Sequence, residues 1–423
     1  MQIHHTMVEY QPKDAMILRN SAEKLKKALA QSPVVLLNGA RQTGKSTLAK
    51  YITETLDYSY ITFDDLRFLS AAQNDPIGFI QGLRYPVILD EIQRVPELFL
   101  AIKHDVDQNR IPGRYLLTGS ANPLLIPQLG DSLAGRMSII NLFPLSQGEL
   151  AAVEEHFIDT VFDKRQPTQF IKLTKQELYS RIASGGYPLV QQADFEAREL
   201  WFNGYVTLLL QRDIKDLSHI TGIADFPRLL YLLATRASNL INTAELSRTS
   251  GLAASTLSRY LVLLETIFLV NFLPAWSVNR GKRLVKSPKI TLIDSGLIGY
   301  LLGLNLQEPD IDGKVLGSIL ENFVVNELQK QMTWNKTRTS MFHYRTVNGV
   351  EVDIILENSA GKIVALEVKN SATVTAQDFK GLRQVMETEG DAFVQGIVLY
   401  TGTEYVPFGH GLCALPISAL WSR

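Results

Sequence analysis

A single cysteine, Cys413, stands among 423 residues, so no intrachain disulfide can form. No uninterrupted apolar run approaches the ~20 residues that cross a bilayer. The opening residues, Met1-Gln2-Ile3-His4-His5, hold no apolar segment of signal-peptide length. Together these absences lead us to expect a soluble, cytoplasmic chain without a membrane partner. An excess of one charge is also missing: 42 Lys and Arg against 43 Asp and Glu leave a formal net charge of −1. No global field therefore draws the chain to nucleic acid, and any polyanion contact has to come from a local patch. The seven histidines are scattered and lack the spacing of metal ligands.

What is present is the composition of a globular protein, 46% hydrophobic and 20% charged, in a chain too long for one ordinary core. Residues 39–46 read Gly39-Ala40-Arg41-Gln42-Thr43-Gly44-Lys45-Ser46, a complete G-x-x-x-x-G-K-[ST] phosphate loop. The apolar run Val34-Val35-Leu36-Leu37 before it reads as a buried strand, and Thr47 onward reads as a helix whose N-terminus faces the anion. In this spacing the glycines let backbone N–H groups turn inward, Lys45 reaches the outer phosphates and Ser46 offers a hydroxyl to Mg²⁺. ATP and Mg²⁺ are the expected cofactors.

Strand-like runs recur at 58–63, 87–89, 115–117 and 139–142, with room for crossover helices between them, which implies a parallel, helix-covered sheet. The run at 86–91 ends in Asp90-Glu91: Asp90 suits the Mg²⁺ shell, and Glu91 suits orienting or deprotonating the attacking water. After the next strand, Ser120, with Asn122 as second choice, is placed to sense the γ-phosphate or its water; both residue types equally serve as helix caps. Arg136, delivered after a Gly turn, is a candidate arginine finger toward a neighbouring subunit or an ordinary surface ion pair.

The phosphate loop, the Leu-Asp-Glu-Ile-Gln strand end, the Leu-Thr-Gly-Ser strand and the Leu-Ala-Gly-Arg segment together resemble the AAA-like ATPases of bacteria and archaea. More narrowly, they resemble a family that carries a C-terminal domain of unassigned function. The resemblance implies an extra strand between the phosphate-loop and Walker B strands, for which residues 58–63 are the candidate. It also implies a homo-oligomer, with a hexamer as one form. No guanine-reading Asn-Lys-x-Asp occurs.

From about 145 to 225 the pattern is helical, suiting a lid over the nucleotide, and the resemblance implies that the helix of Gln211-Arg212-Asp213 faces the nucleotide or a neighbouring subunit, with Arg212 a secondary candidate for phosphate contact or a salt-bridged helix face. Residues 243–250, Gly251 and 255–267 read as helix, tight turn, helix. Segments 268–276 and 290–293 then suit a wing. The second helix exposes Ser255, Thr256, Ser258 and Arg259, and Arg280, Lys282, Arg283, Lys286 and Lys289 in the hairpin form the densest basic cluster, for which phosphate contact is the functional reading and a solvated hairpin the plain one.

Late in the chain Glu321 lies on a helical pattern, Asp353 on a strand, and Glu367 and Lys369 on a second strand, where alternation puts them on one face. A hairpin brings Asp353 beside them, and such a set suits metal-dependent phosphodiester cleavage, with Glu321, Asp353 and Glu367 on Mg²⁺ and Lys369 positioning water. The order Glu, Asp, Glu-x-Lys resembles the restriction-endonuclease-like superfamily, most of all archaeal Holliday-junction resolvases. The expected fold is thus an α/β multidomain chain. It comprises a P-loop ATPase core with a parallel sheet (1–145), a helical lid (146–225), a winged helix-turn-helix (226–300) and a C-terminal α/β restriction-endonuclease-like domain (301–423). The leading expectation is an ATP-hydrolysing, DNA-associated ring motor acting on branched or recombining DNA. The alternatives are a metal-dependent nuclease with a regulatory ATPase, and a nucleotide switch that binds only protein.

Overall fold

The computed structural model describes residues 16–120, 133–164, 170–214, 223–277, 283, 286–306, 308, 311–346 and 348–422. The first strands are β1 (Val34–Asn38), β2 (Ser59–Thr62), β3 (Val87–Asp90), β4 (Tyr115–Gly119) and β5 (Met137–Asn141). They form one parallel sheet in the order β2-β3-β4-β1-β5. Alternation along β1 sends Val34 and Leu36 into one apolar layer and Val35 and Leu37 into the other, so both faces are covered, as parallel sheets require. One expectation needs correction. The strand inserted between the phosphate-loop strand and the Asp90 strand is β4; residues 59–62 take the outer edge instead. Order in the chain does not set order in the sheet when right-handed crossovers pass over a neighbour.

The helical segment follows the capping chemistry of its sequence. Thr174 opens the helix Lys175–Ser184 with a capping box to Glu177, and Asp194 caps the helix Phe195–Leu208. Next comes a helix-turn-helix, Thr243–Ser250 and Ala254–Thr266, joined through Gly251 at φ 77°, the left-handed conformation glycine adopts without strain. Its buried Leu246 and Leu257 lie in the same core. Strands β6 (Val270–Leu273) and β7 (Lys289–Leu292) then pair antiparallel. This pair is no projecting wing: all four positions of β7 are buried. Asn322, on the helix Gly313–Gln331, donates to the Leu292 carbonyl and accepts from the Leu292 amide, both at 2.9 Å, and Asn326 donates to that carbonyl at 3.0 Å.

The last unit is a six-stranded mixed sheet of β8 (Thr339–Arg345), β9 (Glu351–Asn358), β10 (Ile363–Lys369), β11 (Phe393–Tyr400), β12 (Val406–Pro407) and β13 (Leu412–Pro416), in the order β12-β13-β11-β10-β9-β8. β8, β9 and β10 form an antiparallel meander, whereas β10–β11 and β11–β13 pair in parallel. One apolar cluster runs from Phe157 to Trp421, so the helical segment, the helix-turn-helix and this sheet share a core across the boundaries expected at 225 and 300. That core also includes Ala40 of the phosphate loop.

Candidate functional site

The phosphate loop is built at the carboxyl end of β1. Gly39 has φ 154°, and a Cβ there would lie 2.1 Å from the Leu142 carbonyl oxygen, so only glycine lets the chain leave the strand beside β5. Gly44 (φ 94°) precedes the helix Lys45–Leu56 without any side-chain cap, so the helix N-terminus presents its positive end where an anion would sit. Lys45, 5% exposed, donates from Nζ to the carbonyls of Gly39 (2.9 Å) and Ala40 (2.8 Å). The buried amide of Asn38 has no hydrogen-bond partner among the described residues. An orphaned amide, an ammonium folded onto two loop carbonyls and an uncapped helix N-terminus fit a triphosphate.

Beside the loop, Ser46 Oγ donates to Asp90 Oδ1 at 3.2 Å, which brings together the two expected Mg²⁺ ligands. Asp90 also accepts from Thr118 Oγ1 and, at 2.5 Å, from the Tyr60 hydroxyl, whose acidity is weakened by burial and by the Asp90 charge. Glu91 stands in the left-handed region (φ 61°), with its amide donating to Thr118 Oγ1 at 3.0 Å. A strained non-glycine residue at this point aims the carboxylate. Gln93 Nε2 donates to Glu91 Oε2 at 2.5 Å and to Ser120 Oγ at 2.8 Å, and Arg41 Nη1 lies 3.7 Å from the same Glu91 oxygen. Ser120 therefore stands at the carboxylate, while Asn122 lies outside the described residues. The reading from sequence missed Tyr60, Gln93 and Thr118; polar residues inside or just past otherwise apolar strands were the available signal.

Arg136 precedes β5 at the amino-terminal end of the sheet, opposite the loop, and pairs with Asp107. Arg212 is half-exposed, 3.7 Å from Asp64. Behind the loop, Arg19 donates to the Thr43 carbonyl (2.7 Å) and to Glu149 Oε1 (3.0 Å), and Tyr205 on the helical segment donates to the Arg41 carbonyl at 3.4 Å.

Residues 31–151 match the family described as AAA domain, and residues 175–308 and 316–420 match two domains of unknown function, DUF8612 and DUF4143. An uncharacterized protein of Mycobacterium tuberculosis is 32% identical over 361 residues, covering 84% of this chain and 74% of that protein. The chain belongs to the family of that mycobacterial protein. Its first domain is an AAA domain, and the chain is an ATPase of the AAA, P-loop type. An uncharacterized protein of Haemophilus influenzae is 25% identical over 326 residues, 70% of this chain and 74% of that one. Solved structures give distant likenesses. A Walker-type ATPase of Pyrococcus abyssi has a TM-score of 0.39 at 16% identity over 66% of this chain and 94% of that chain. The RuvB Holliday junction branch migration motor of Thermotoga maritima has 0.30 at 20% over 60% and 88%. No helix among the described residues is long and apolar enough to cross a membrane.

Far along the chain from the AAA domain, the four residues singled out late in the sequence do converge. The β9–β10 register reaches Leu366 opposite Ile354, which puts Asp353 next to Glu367, and Asp353 Oδ2 accepts from the Val368 amide at 2.9 Å. Lys369 Nζ lies 2.9 Å from Glu367 Oε1, while Glu367 Oε2 is buried without a hydrogen-bond partner among the described residues. Burial, then the Asp353 charge, pushes the Glu367 carboxyl up to about 7. A fifth residue sits among them. Lys289 Nζ, its side chain 3% exposed, is 2.8 Å from Glu321, 3.0 Å from Glu351 and 3.4 Å from Asp353. Burial alone would lower its pKa, but the three carboxylates more than offset that, and the ammonium holds its proton well above the ordinary range. Glu321, facing Asp353 in the same buried space, is pushed well above the ordinary carboxylate range by burial.

The expected Mg²⁺ set of Glu321, Asp353 and Glu367 therefore does not fit a metal as it stands. Among the described residues no group of three potential ligands is arranged to hold one. Lys289 leaves the expected DNA surface for this cluster, and Arg283 leaves it too. Arg283 donates to Glu357 at 2.5 Å and to the Ser277 carbonyl at 2.6 Å, and lies against the rings of Phe342 and Trp276. Packing against the last sheet turns Arg283 and Lys289 inward, where desolvation makes pairing obligatory. Arg259 and Lys286 remain exposed, and Arg280 and Lys282 lie outside the described residues.

Proposed function

We propose that this AAA ATPase acts on DNA as a homo-oligomer, gripping the duplex through its helix-turn-helix and drawing on ATP hydrolysis at Lys45, Asp90 and Glu91. The observation that carries the reading is the outward face of the helix Ala254–Thr266. Ser255, Ser258 and Arg259 are exposed there beside Arg248 of the preceding helix, and the helix starts at Ala253 with no side-chain cap. Free amides, hydroxyls and two guanidinium groups make a surface suited to phosphates. The alternation of the helix Gly313–Gln331, three antiparallel strands, the helix Lys380–Glu389 and a parallel strand supports a restriction-endonuclease-like reading of the last unit, held as a DNA platform.

In this reading the loop amides of 39–46 and Lys45 would hold the phosphates of ATP, and Ser46 and Asp90 would hold Mg²⁺, which would supply charge neutralisation on the transferred group. Glu91 accepts the proton of the attacking water, steadied by Gln93 and Ser120. Thr118 and Tyr60 keep Asp90 in place. Arg136, on the far side of the sheet from its own loop and paired with Asp107, serves a neighbour's nucleotide in this reading.

The test is the ATPase rate with and without duplex, single-stranded and four-way DNA, together with fluorescence anisotropy of the same DNAs at low salt. Stimulation, and binding weakened by Arg259→Glu, are expected. Absence of both stimulation and low-salt binding overturns the DNA reading. The inward turn of Arg283 and Lys289 thins the basic face, and it favours a second reading, a nucleotide switch whose helix-turn-helix binds only protein. Tight ATP retention with negligible turnover and indifference to DNA would select it.

A further inference from the structure

We infer that the Lys289 ammonium is a built-in cation standing where a nuclease-like site would hold its divalent metal, so that the carboxylate cluster is an internal brace. The ammonium donates to Glu321 at 2.8 Å and to Asp353 at 3.4 Å and pairs with Glu351 at 3.0 Å, so one charge is shared by three carboxylates. A divalent ion needs those same oxygen lone pairs, and it would enter as a like charge beside the lysine.

Several contacts hold Lys289 there rather than letting it swing away. β7 is buried at every position and pairs with β6, with Leu273 opposite Lys289. Asn322 and Asn326 bind the far end of β7 to the helix that also carries Glu321. Asp353 is held from the other side by the Val368 amide at 2.9 Å. The partition of charge is consistent with this. Lys369 pairs with Glu367 at 2.9 Å and Lys289 with the other three carboxylates, of which Glu351 also has Arg345 at 3.9 Å. The brace ties the strand pair after the helix-turn-helix to the last sheet, which places the outward helix Ala254–Thr266 and that sheet in one rigid unit.

The test measures Mn²⁺ binding by electron paramagnetic resonance on the full chain without nucleotide. Every protein carries Asp90→Asn, so that the AAA site does not contribute. With Lys289 intact, no ion is expected at millimolar Mn²⁺, and adding Asp353→Asn changes nothing. Lys289→Met is expected to gain one bound ion, which Lys289→Met with Asp353→Asn loses again. Mn²⁺ bound with Lys289 intact and lost on Asp353→Asn overturns the inference, as does a folded Lys289→Met protein that gains no ion. Should Lys289→Met fail to fold, the pair with Lys289 intact decides alone: binding that Asp353→Asn removes overturns the inference, and no binding in either supports it.

Discussion

Replacing Lys289 by Met removes the charge while keeping most of the apolar stem, and leaves Glu321 and Asp353 without the ammonium between them, while Glu351 keeps only Arg345 at 3.9 Å. At an effective dielectric of about 20, one ion pair at ~3 Å is worth about 5–6 kcal/mol before desolvation is subtracted. Removing one partner of a buried pair costs about 3–5 kcal/mol in practice. The stranded carboxylates have an escape, which is to take up protons, and Glu321 already leans that way. The variant's folded state then binds more protons than its unfolded state, so its stability falls as pH rises. We expect a loss of about 3 kcal/mol at alkaline pH, a fall in Tm of roughly 6–12 °C for a unit of this size, and a smaller loss at mildly acid pH. Differential scanning fluorimetry at the two pH values reads both. Adding Glu321→Gln should return part of the loss, with a coupling of about 1–3 kcal/mol. A Tm within about 1 °C of the parent at both pH values, or a loss that ignores pH, would refute the reasoning.

At the AAA site, Gln93→Ala removes the 2.5 Å donor to Glu91, and kcat should fall about 10-fold while ATP affinity stays within about twofold; Glu91→Gln should cost about 10²–10⁴-fold in kcat with ATP still bound. Steady-state ATPase and nucleotide-binding titrations check this, and an equal loss of binding in both variants counts against the roles. Glu367, raised from 4.5 to about 7, keeps its proton longer in the folded chain, so it subtracts stability as pH climbs between those values, and the full penalty stands above them. Glu367→Gln should therefore raise Tm at pH above about 7 and lose that advantage at acid pH; an equal gain at both ends contradicts the burial argument.

Several features were legible because their causes are local. The phosphate loop needs its glycines where β1 gives way to a helix, Asp90-Glu91 must end a strand, and Gly251 must turn left-handed between two amphipathic helices. Period-two alternation was enough to set Glu367 and Lys369 on one face and to bring Asp353 beside them. Other features depended on which surfaces pack together. Residues 58–63 were read correctly as a strand, but their place at the sheet edge depends on crossover paths. Gln93 and Tyr60 gain their roles only when separate segments close around Asp90 and Glu91. Arg283 and Lys289 read as an exposed basic hairpin from composition alone.

By itself the sequence determined a phosphate loop, an acidic pair at a strand end, a helix-turn-helix and a hairpin bearing Asp353, Glu367 and Lys369, because each is specified by neighbours in the chain and by the periodicity of its backbone. Tertiary structure alone decided that Lys289 stands inside the Glu321, Glu351 and Asp353 cluster, and so whether those carboxylates meet a metal or a lysine. The reason is physical: a buried charge is placed by whatever opposite charge packing brings within reach, and that contact spans residues 289 to 353.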